Sequence, residues 1–348
     1  MVDPNLLWLS KELALATLPV ILVTILVSAL AAKLLSMYSL LAVPNSRSAH
    51  QQPIATAGGF SLVLGIGAGS IWLAFSSDLL ESKYPVLFGL SSLAMLLGFI
   101  DDAYEVSAKL KFSLIGILSL AMAFLLGPVT VIPFDTVQLQ LPWVIAIAGT
   151  GLFVFTLINS VNFIDGSDGA IPLSACAAAV IMVILAGRFE VWEAFWSSLL
   201  LATALGGFLP FNMPKAKVFL GDTGSLFIGS WFAGTALMLV VSGPPAVLWL
   251  MPLLFMPWLS DVLLTMAWRL LKKQNLMLAH NDHLYQCMIK SGKSHRQVAI
   301  WLMVQIIAAG SMAMLFSISA TSAFLGFSAA ASLALLVHLQ VRKTVTGI

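Results

Sequence analysis

The sequence predicts an all-α, polytopic integral membrane protein with about eleven transmembrane helices. Its 348 residues are 60% hydrophobic and only 9% charged, whereas soluble domains carry about 25% charged residues. Apolar runs of roughly 20 residues, enough for a helix to cross about 30 Å of hydrocarbon, recur along the chain. Lys and Arg concentrate in alternate connections between these runs, which is typical of a multi-pass protein with one cytoplasmic face.

Each apolar run is long enough to be predicted as a membrane span. The first run is longer than the apolar core of a signal peptide, so we interpret it as a retained span. The alternative to two spans at the C-terminal end is one long bent helix through 319–320. The predicted spans are 13–36, 58–76, 85–100, 110–127, 142–158, 169–186, 193–213, 224–242, 246–268, 297–318 and 320–340.

The 17 Lys and Arg residues are divided unequally between the two sides of this arrangement. Only Lys11, Lys83 and Arg188 fall on one side, and all the others fall on the opposite side. Because cytoplasmic connections carry the excess of positive charge, the N-terminus is predicted outside and the C-terminus in the cytoplasm. The connections are too short for a soluble domain, so residues 1–348 are predicted as one transmembrane domain.

Acidic residues on the predicted cytoplasmic side lie directly against apolar helix ends. A carboxylate at a membrane boundary is costly unless a cation or a hydrogen-bond donor meets it. Solvation, or pairing with nearby Lys and Arg, would explain one such acid, but three clusters on one face favour a magnesium and phosphate site. The clusters are Asp101-Asp102, Asn162 to Asp168, and Val218 to Ser225.

Cationic groups and backbone donors that suit a phosphate accompany these clusters. Lys109 and Lys111 follow the first acidic pair, and Gly221 to Ser225 opens a helix whose free N–H groups and dipole attract an anion. Adjacent carboxylates shift each other's pKa. One of Asp101 and Asp102 is therefore a candidate general base, and binding of Mg²⁺ by the pair is the alternative.

Two histidines, His280 and His283, lie in the long connection 269–296. We interpret them as contacts to a phosphate or sugar, with helix capping and loop packing as alternatives. Zinc is disfavoured because it needs three or four ligands at matched spacing. Asp261, inside a predicted span, is either a functional group or the structural partner of a buried donor.

Taken in order, these segments resemble the polyprenyl-phosphate N-acetylhexosamine-1-phosphate transferase family (glycosyltransferase family 4). The histidine motif His-x-x-His-x-Tyr-Gln is more similar to the O-antigen-initiating branch than to the phospho-MurNAc-pentapeptide translocase branch. The chain departs from the family pattern at Ala42 and Thr56, where Asp and Arg are frequent. The matching motifs are Pro44 to His50, Gly58-Gly59, Asp101-Asp102, Lys109 to Lys111, Asn159 to Gly169, Phe211-Asn212, Gly221 to Ser225 and the motif that begins at His280.

The resemblance implies a reaction and a role for each matching residue. A UDP-N-acetylhexosamine-type donor would pass its sugar-1-phosphate to undecaprenyl phosphate, releasing UMP, with Mg²⁺ (alternatively Mn²⁺) as cofactor. Asp101 and Asp102 would be catalytic, and Asp222 would bind the metal. The site would lie on the cytoplasmic loops 37–57, 101–111, 159–168, 212–223 and 269–296. The implied substrate-binding residues are Lys111, Asn162, Asp165, Asp168, Asn212, His280 and His283.

The implied setting is the bacterial inner membrane, with membrane lipid around the protein and the active site on the cytoplasmic face. A homodimer is one expected assembly, and a nucleic-acid partner is not expected. The translocase of peptidoglycan synthesis is the alternative function within the family, and a non-catalytic scaffold is a third. An ion-coupled transporter is the alternative from another class, but its ionisable residues would lie near the midplane, where Asp261 alone is predicted.

Overall fold

The computed structural model describes residues 11–38, 41–42, 54–55, 58–75, 82–276, 278 and 280–346. The motif 44–50 and Thr56 lie outside the described residues. The helices are α1 (Lys11–Tyr38), α2 (Gly59–Ala74), α3 (Tyr84–Tyr104), α4 (Ala108–Leu126), α5 (Trp143–Ile164), α6 (Ala170–Arg188), α7 (Trp192–Asn212), α8 (Gly221–Ser242), α9 (Val247–Leu254), α10 (Met256–Leu271), α11 (Leu284–Lys290), α12 (His295–Leu315) and α13 (Ala320–Thr346). Two antiparallel pairs join the strands β1 (Leu41–Ala42) with β2 (Ile54–Ala55), and β3 (Val131–Pro133) with β4 (Gln138–Gln140).

The all-α membrane class is confirmed, and each predicted span coincides with a helix or with the α9–α10 pair. Within the described residues, nine helices are long and apolar enough to cross a membrane, or ten if the bent pair of α9 and α10 is one span. The predicted count of eleven differs because α2 has only 16 residues. At 1.5 Å per residue it is about 24 Å long, which is shorter than the hydrocarbon core. The predicted separation of α12 from α13 is confirmed.

One predicted span, 246–268, is broken into α9 and α10, which meet at an angle of 69°. Pro257 lies in the first turn of α10. Proline has no backbone N–H, and its ring clashes with the carbonyl four residues earlier, here that of Leu253. The last hydrogen bond of α9 is the one from Phe255 N to Met251 O, at 3.1 Å. The helix α9 therefore ends just before Pro257, at the bend. The chain therefore changes direction at this proline.

The helices α3 and α5 continue beyond the spans that the sequence predicts. The predicted spans end at residues 100 and 158, but the helices run on to residues 104 and 164. Hydropathy falls at the first polar side chains, whereas the backbone hydrogen bonds continue through them. Asp101, Asp102 and Asn162 therefore lie on the last helical turns, which corrects their predicted placement in loops.

Connections between the helices alternate between two ends of the bundle, as the topology requires. At the hairpin end, which carries β3 and β4, Lys83 Nζ donates to Leu126 O at 2.7 Å. At the same end Asp135 accepts from Ser319 Oγ at 2.7 Å and from Thr321 N at 3.2 Å, so it caps α13. We call the opposite end, where α3 ends and α8 begins, the polar end. That the polar end faces the cytoplasm stays a prediction.

The central helix α8 is buried on nearly all sides, as expected of a helix that is apolar all round. Glycines of its neighbours allow a close approach at its first turn. A Cβ atom at Gly98 of α3 would lie 2.1 Å from the backbone oxygen of Asp222, and one at Gly59 of α2 would lie 2.5 Å from the backbone of Gly224. Because neither glycine has a side chain, the backbones of α2 and α3 pack directly against the start of α8.

Candidate active site

The polar end brings together three residues that are far apart in the sequence. Lys111, in the first turn of α4, lies with its Nζ 2.8 Å from Asp101 Oδ2 at the end of α3. The same Nζ forms an ion pair with Asp222 Oδ2 in the first turn of α8. The side chains of Lys111 and Asp101 are each 13% exposed, and that of Asp222 is 29% exposed. The cluster is therefore partly open at its Asp222 side.

Asn162 extends this cluster from the last turn of α5. Its Nδ2 donates to Asp222 Oδ1 at 2.8 Å and to Ser225 Oγ at 2.9 Å. Both oxygens of the Asp222 carboxylate therefore have donors, Lys111 on one side and Asn162 on the other. Predictions placed Asn162 at the donor substrate and Asp222 at the metal, and the structure places the two side chains in direct contact.

Asp102 has a different environment from its neighbour Asp101. Its Oδ1 accepts from Asp222 N at 3.0 Å, and its Oδ2 accepts from Thr223 N at 3.0 Å and from Thr223 Oγ1 at 2.7 Å. These are free N–H groups of the first turn of α8, so Asp102 caps that helix from another helix. Gly221, with φ +71°, permits this approach, since a Cβ there would lie 2.7 Å from Asp102 Oδ2.

Asp101 is instead held at the end of its own helix. Its Oδ1 accepts from Val106 N at 2.8 Å, after a left-handed turn at Glu105 with φ 50°. Its Oδ2 faces Lys111. Of the two adjacent acids, Asp101 thus has one oxygen in the cluster with Lys111 and Asp222, whereas both oxygens of Asp102 are engaged by the backbone and hydroxyl of α8. The sequence alone does not distinguish the roles of Asp101 and Asp102.

Asp165 directly follows α5 and lies near several other acidic side chains. Burial, together with the negative charges of Asp222, Asp102 and Asp168, raises the pKa of the Asp165 carboxyl well above its usual range. Burial and the neighbouring acids both disfavour the charged form of this carboxyl, and a bound cation would favour it. A cation arriving at this point would be attracted to the Asp165 carboxylate.

Asp168 and Asn212 join the connection after α5 to the connection after α7. Asp168 Oδ2 accepts from Ala216 N at 3.2 Å. Asn212 Oδ1 accepts from Gly169 N at 2.8 Å, and its Nδ2 donates to Val218 O at 3.0 Å. Both side chains are buried. Their predicted contact with the donor stays a prediction, and their observed contacts position the loops that border the site.

The histidine-bearing loop, residues 280–283, lies beside the last turn of α5. The ring of His283 stacks on Phe163 at 5.8 Å between centroids, and the rings of His280 and His283 are 5.0 Å apart. Burial, aided by the nearby His283 and Arg269, lowers the pKa of His280 to about 4, so this ring is neutral near pH 7. Within the described residues, nothing completes a zinc site with the two histidines.

Asp261, on α10, is a structural partner of buried donors. Its Oδ1 accepts from Leu284 N at 2.8 Å and its Oδ2 from Tyr285 N at 3.3 Å, so it caps α11. The hydroxyl of Tyr285 then donates to Phe163 O at 3.0 Å. The loop therefore folds back onto α10, and Asp261 positions it against α5.

The donor set at the polar end fits Mg²⁺. Within the described residues no group of three or more His, Cys, Asp or Glu side chains is arranged to hold a metal alone. Mg²⁺, however, is usually bound by one or two carboxylates together with substrate phosphates and water. Asp222, and Asp165 whose carboxyl lies near the charges of three other acids, are the oxygen ligands that would hold the ion.

An apolar cavity of about 250 Å³ lies at the hairpin end and is bordered by Ile132, Phe153 and Trp249. It contains none of the residues of the polar cluster. The chemistry of the cavity therefore differs from that of the candidate active site, where carboxylates and a lysine lie together at the N-terminus of α8. The fold and this site define a polytopic helical membrane protein with a polar site at one end of its bundle.

Comparison with known proteins finds a matching family model. The model of glycosyl transferase family 4 matches residues 84–240. The chain is similar to this family over that part of its length.

Three relatives illustrate the range of similarity. The chain is 27% identical to the probable undecaprenyl-phosphate N-acetylglucosaminyl 1-phosphate transferase of Bacillus subtilis, over 100% of this chain and 95% of the relative. It is 27% identical to the decaprenyl-phosphate N-acetylglucosaminephosphotransferase of Mycobacterium leprae, over 88% of this chain and 84% of the relative. It is 32% identical to the phospho-N-acetylmuramoyl-pentapeptide-transferase of Halalkalibacterium halodurans, but over only 53% of this chain and 60% of the relative.

Proposed function

We propose that this protein transfers an N-acetylhexosamine-type sugar-1-phosphate from a UDP-sugar to undecaprenyl phosphate and releases UMP. The observation that carries the proposal is the contact of Lys111 with both Asp101 and Asp222 at the N-terminus of α8. Carboxylates, a lysine and free helix N–H groups in one place suit phosphoryl transfer, in which positioning and charge stabilisation supply most of the catalysis. The names of the relatives matched over most of this chain support N-acetylglucosamine as the sugar.

The proposed reaction forms one phosphorus–oxygen bond and breaks another. An oxygen of the lipid phosphate attacks the β-phosphorus of the UDP-sugar, the bond from that phosphorus to the bridging oxygen breaks, and UMP leaves. Asp101 is the candidate base for a protonated lipid phosphate, because one of its oxygens faces Lys111, whereas both oxygens of Asp102 accept from α8. Lys111 binds a substrate phosphate. Mg²⁺, held by Asp222 and Asp165, would supply charge stabilisation for the phosphate oxygens.

The product would start a cell-envelope polysaccharide such as O-antigen. The translocase of peptidoglycan synthesis is less well supported, since that relative is matched over only 60% of its length. We place the protein in the bacterial inner membrane with the polar end in the cytoplasm, because Lys and Arg concentrate there and UDP-sugars are made there.

The test is UMP release by purified protein in detergent, given Mg²⁺, undecaprenyl phosphate and each of several UDP-N-acetylhexosamines. The reaction exchanges one phosphoanhydride for another, so its equilibrium constant should lie within about a factor of ten of unity. Lipid-linked product with excess UMP should therefore regenerate UDP-sugar. A hydrolase would release free sugar-1-phosphate without UMP dependence, and a transporter would show no chemistry in detergent. Either result would exclude the proposed transfer.

A further inference from the structure

A single arginine of the last helix connects three elements next to the histidine-bearing loop. Arg342, on α13, is only 6% exposed. One of its terminal nitrogens donates to the backbone oxygen of Asp282 and to Thr265 Oγ1, both at 2.9 Å. Its Nε donates to His338 Nε2 at 2.7 Å, and its guanidinium lies 4.3 Å from the centroid of the Trp268 ring. The side chain therefore links α13 to α10 and to the loop before α11.

The loop is held from its other side as well. Arg269, on α10, forms an ion pair with the Asp282 carboxylate and donates to Asn275 O at 3.0 Å. Arg342 therefore contacts the backbone oxygen of Asp282, and Arg269 contacts its carboxylate. Because Asp282 lies between the two histidines in the sequence, these two arginines, together with Asp261, hold the segment that carries both rings.

The position of the loop matters for the proposed donor side of the site. His283 packs on Phe163, which lies between Asn162 and Asp165 in the sequence. A shift of the loop by about an ångström would move both histidine rings relative to these polar groups. Misplacement of that size can lower a reaction rate about a hundredfold.

We propose that Arg342 is a positioning residue for the donor substrate. It does not contact the substrate, and it acts by fixing the backbone of Asp282 so that His283, and His280 next to it, are held against Phe163. The proposal rests on the proposed transfer reaction for its kinetic consequence. Its structural consequence, a loop that opens when Arg342 is removed, is independent of that reaction.

Cys287 provides a probe of the loop in the substrate-free protein. Its Sγ lies 3.6 Å from the same Asp282 oxygen that Arg342 binds, and the residue is 6% exposed. In a Cys176→Ala background, the rate of maleimide labelling at Cys287 reports local opening. We expect Arg342→Met to raise this rate about tenfold or more, since it removes charged hydrogen bonds to the loop and to α10. Lys343→Met, which removes the neighbouring exposed charge, should leave the rate within about twofold.

The kinetic arm compares the two substrates in the same variants. Arg342→Met should raise the KM for the UDP-sugar about tenfold and leave the KM for undecaprenyl phosphate within about twofold, whereas a general loss of folded protein would lower kcat alone. Arg342→Lys keeps the charge but not the planar fork of donors, so it should rescue only part of the effect. It also carries the test if Arg342→Met does not fold.

The two arms separate the proposals. Equal labelling of Cys287 in wild type and both Arg342 variants would overturn the positioning role, and so would equal changes in both KM values. If the wild type releases no UMP, the transfer reaction fails, and the labelling rates still decide whether Arg342 holds the loop.

Discussion

Replacing Asp102 tests whether this acid caps α8. In Asp102→Ala the N–H groups of Asp222 and Thr223 and the Thr223 hydroxyl lose their shared acceptor. Loss of an N-cap acceptor costs about 0.5–2 kcal/mol. The third hydrogen bond favours the upper end of that range, while partial exposure of Asp102 lets water compensate in part. We therefore expect a loss of about 2 kcal/mol in the free energy of unfolding, or about 3 °C in the unfolding midpoint.

The assay is thermal unfolding in detergent, followed by tryptophan fluorescence and compared with UMP release. Asp102→Asn should recover much of the stability, because asparagine caps helices about as well as aspartate. Thr223→Val removes only the hydroxyl donor and should cost about 1 kcal/mol. In the double variant the two costs should not add, because both act on the same hydrogen bond. A wild-type unfolding midpoint in Asp102→Ala, combined with lost activity, would refute the capping role and restore Asp102 as a chemical group.

Three further predictions address the metal, the histidine loop and the topology. Asp222→Asn should remain folded but lose nearly all Mg²⁺-dependent UMP release, because the amide lacks the charge that a hard cation needs. Glu193→Gln, at the hairpin end, is the control and should keep normal activity. Normal activity of the Asp222 variant would show that Asp222 does not bind the metal. Because the pKa of His280 is lowered to about 4, its contribution to stability is complete above about pH 6.5 and is lost as the pH falls toward 4. His280→Gln should therefore show a smaller fall in unfolding midpoint over this range than wild type, and equal falls would count against a buried neutral ring. A cysteine placed at Lys272 should react with impermeant reagent only from the cytoplasmic side, and one at Glu190 only from outside; the reverse pattern would invert the predicted orientation.

The sequence was sufficient to predict which acids share one end of the bundle. Asp101 and Asp222 are 121 positions apart, but both follow from counting apolar spans, and the structure brings both to Lys111. Counting spans depends only on hydrophobic length and on the alternation of connections. This information does not depend on the details of packing.

The partner of each acid was not predictable in the same way. Asp101 and Asp102 are neighbours in sequence, and a helix turns by about 100° between them. Only the rotation of α3 against α8 decides that Asp102 faces the N–H groups of α8. Likewise, the contact of Asp261 with α11 depends on the loop folding back over α10. The break at Pro257 could have been anticipated from the missing N–H of proline, but hydropathy averaged over a whole span conceals it.

Charge balance connects the architecture of the polar end with the proposed reaction. Lys111 is in contact with two carboxylates, and Asp165 lies in a region where its pKa is raised by burial and by three further acids. A UDP-sugar and a lipid phosphate would add more negative charge to the same place, which is unfavourable without additional cations. This charge balance is consistent with the proposed reaction, in which a divalent cation would arrive with the phosphates. It disfavours one in which the carboxylates bind an anion by themselves, and it explains why a lysine, able to move between carboxylate and phosphate on a flexible stem, lies between Asp101 and Asp222.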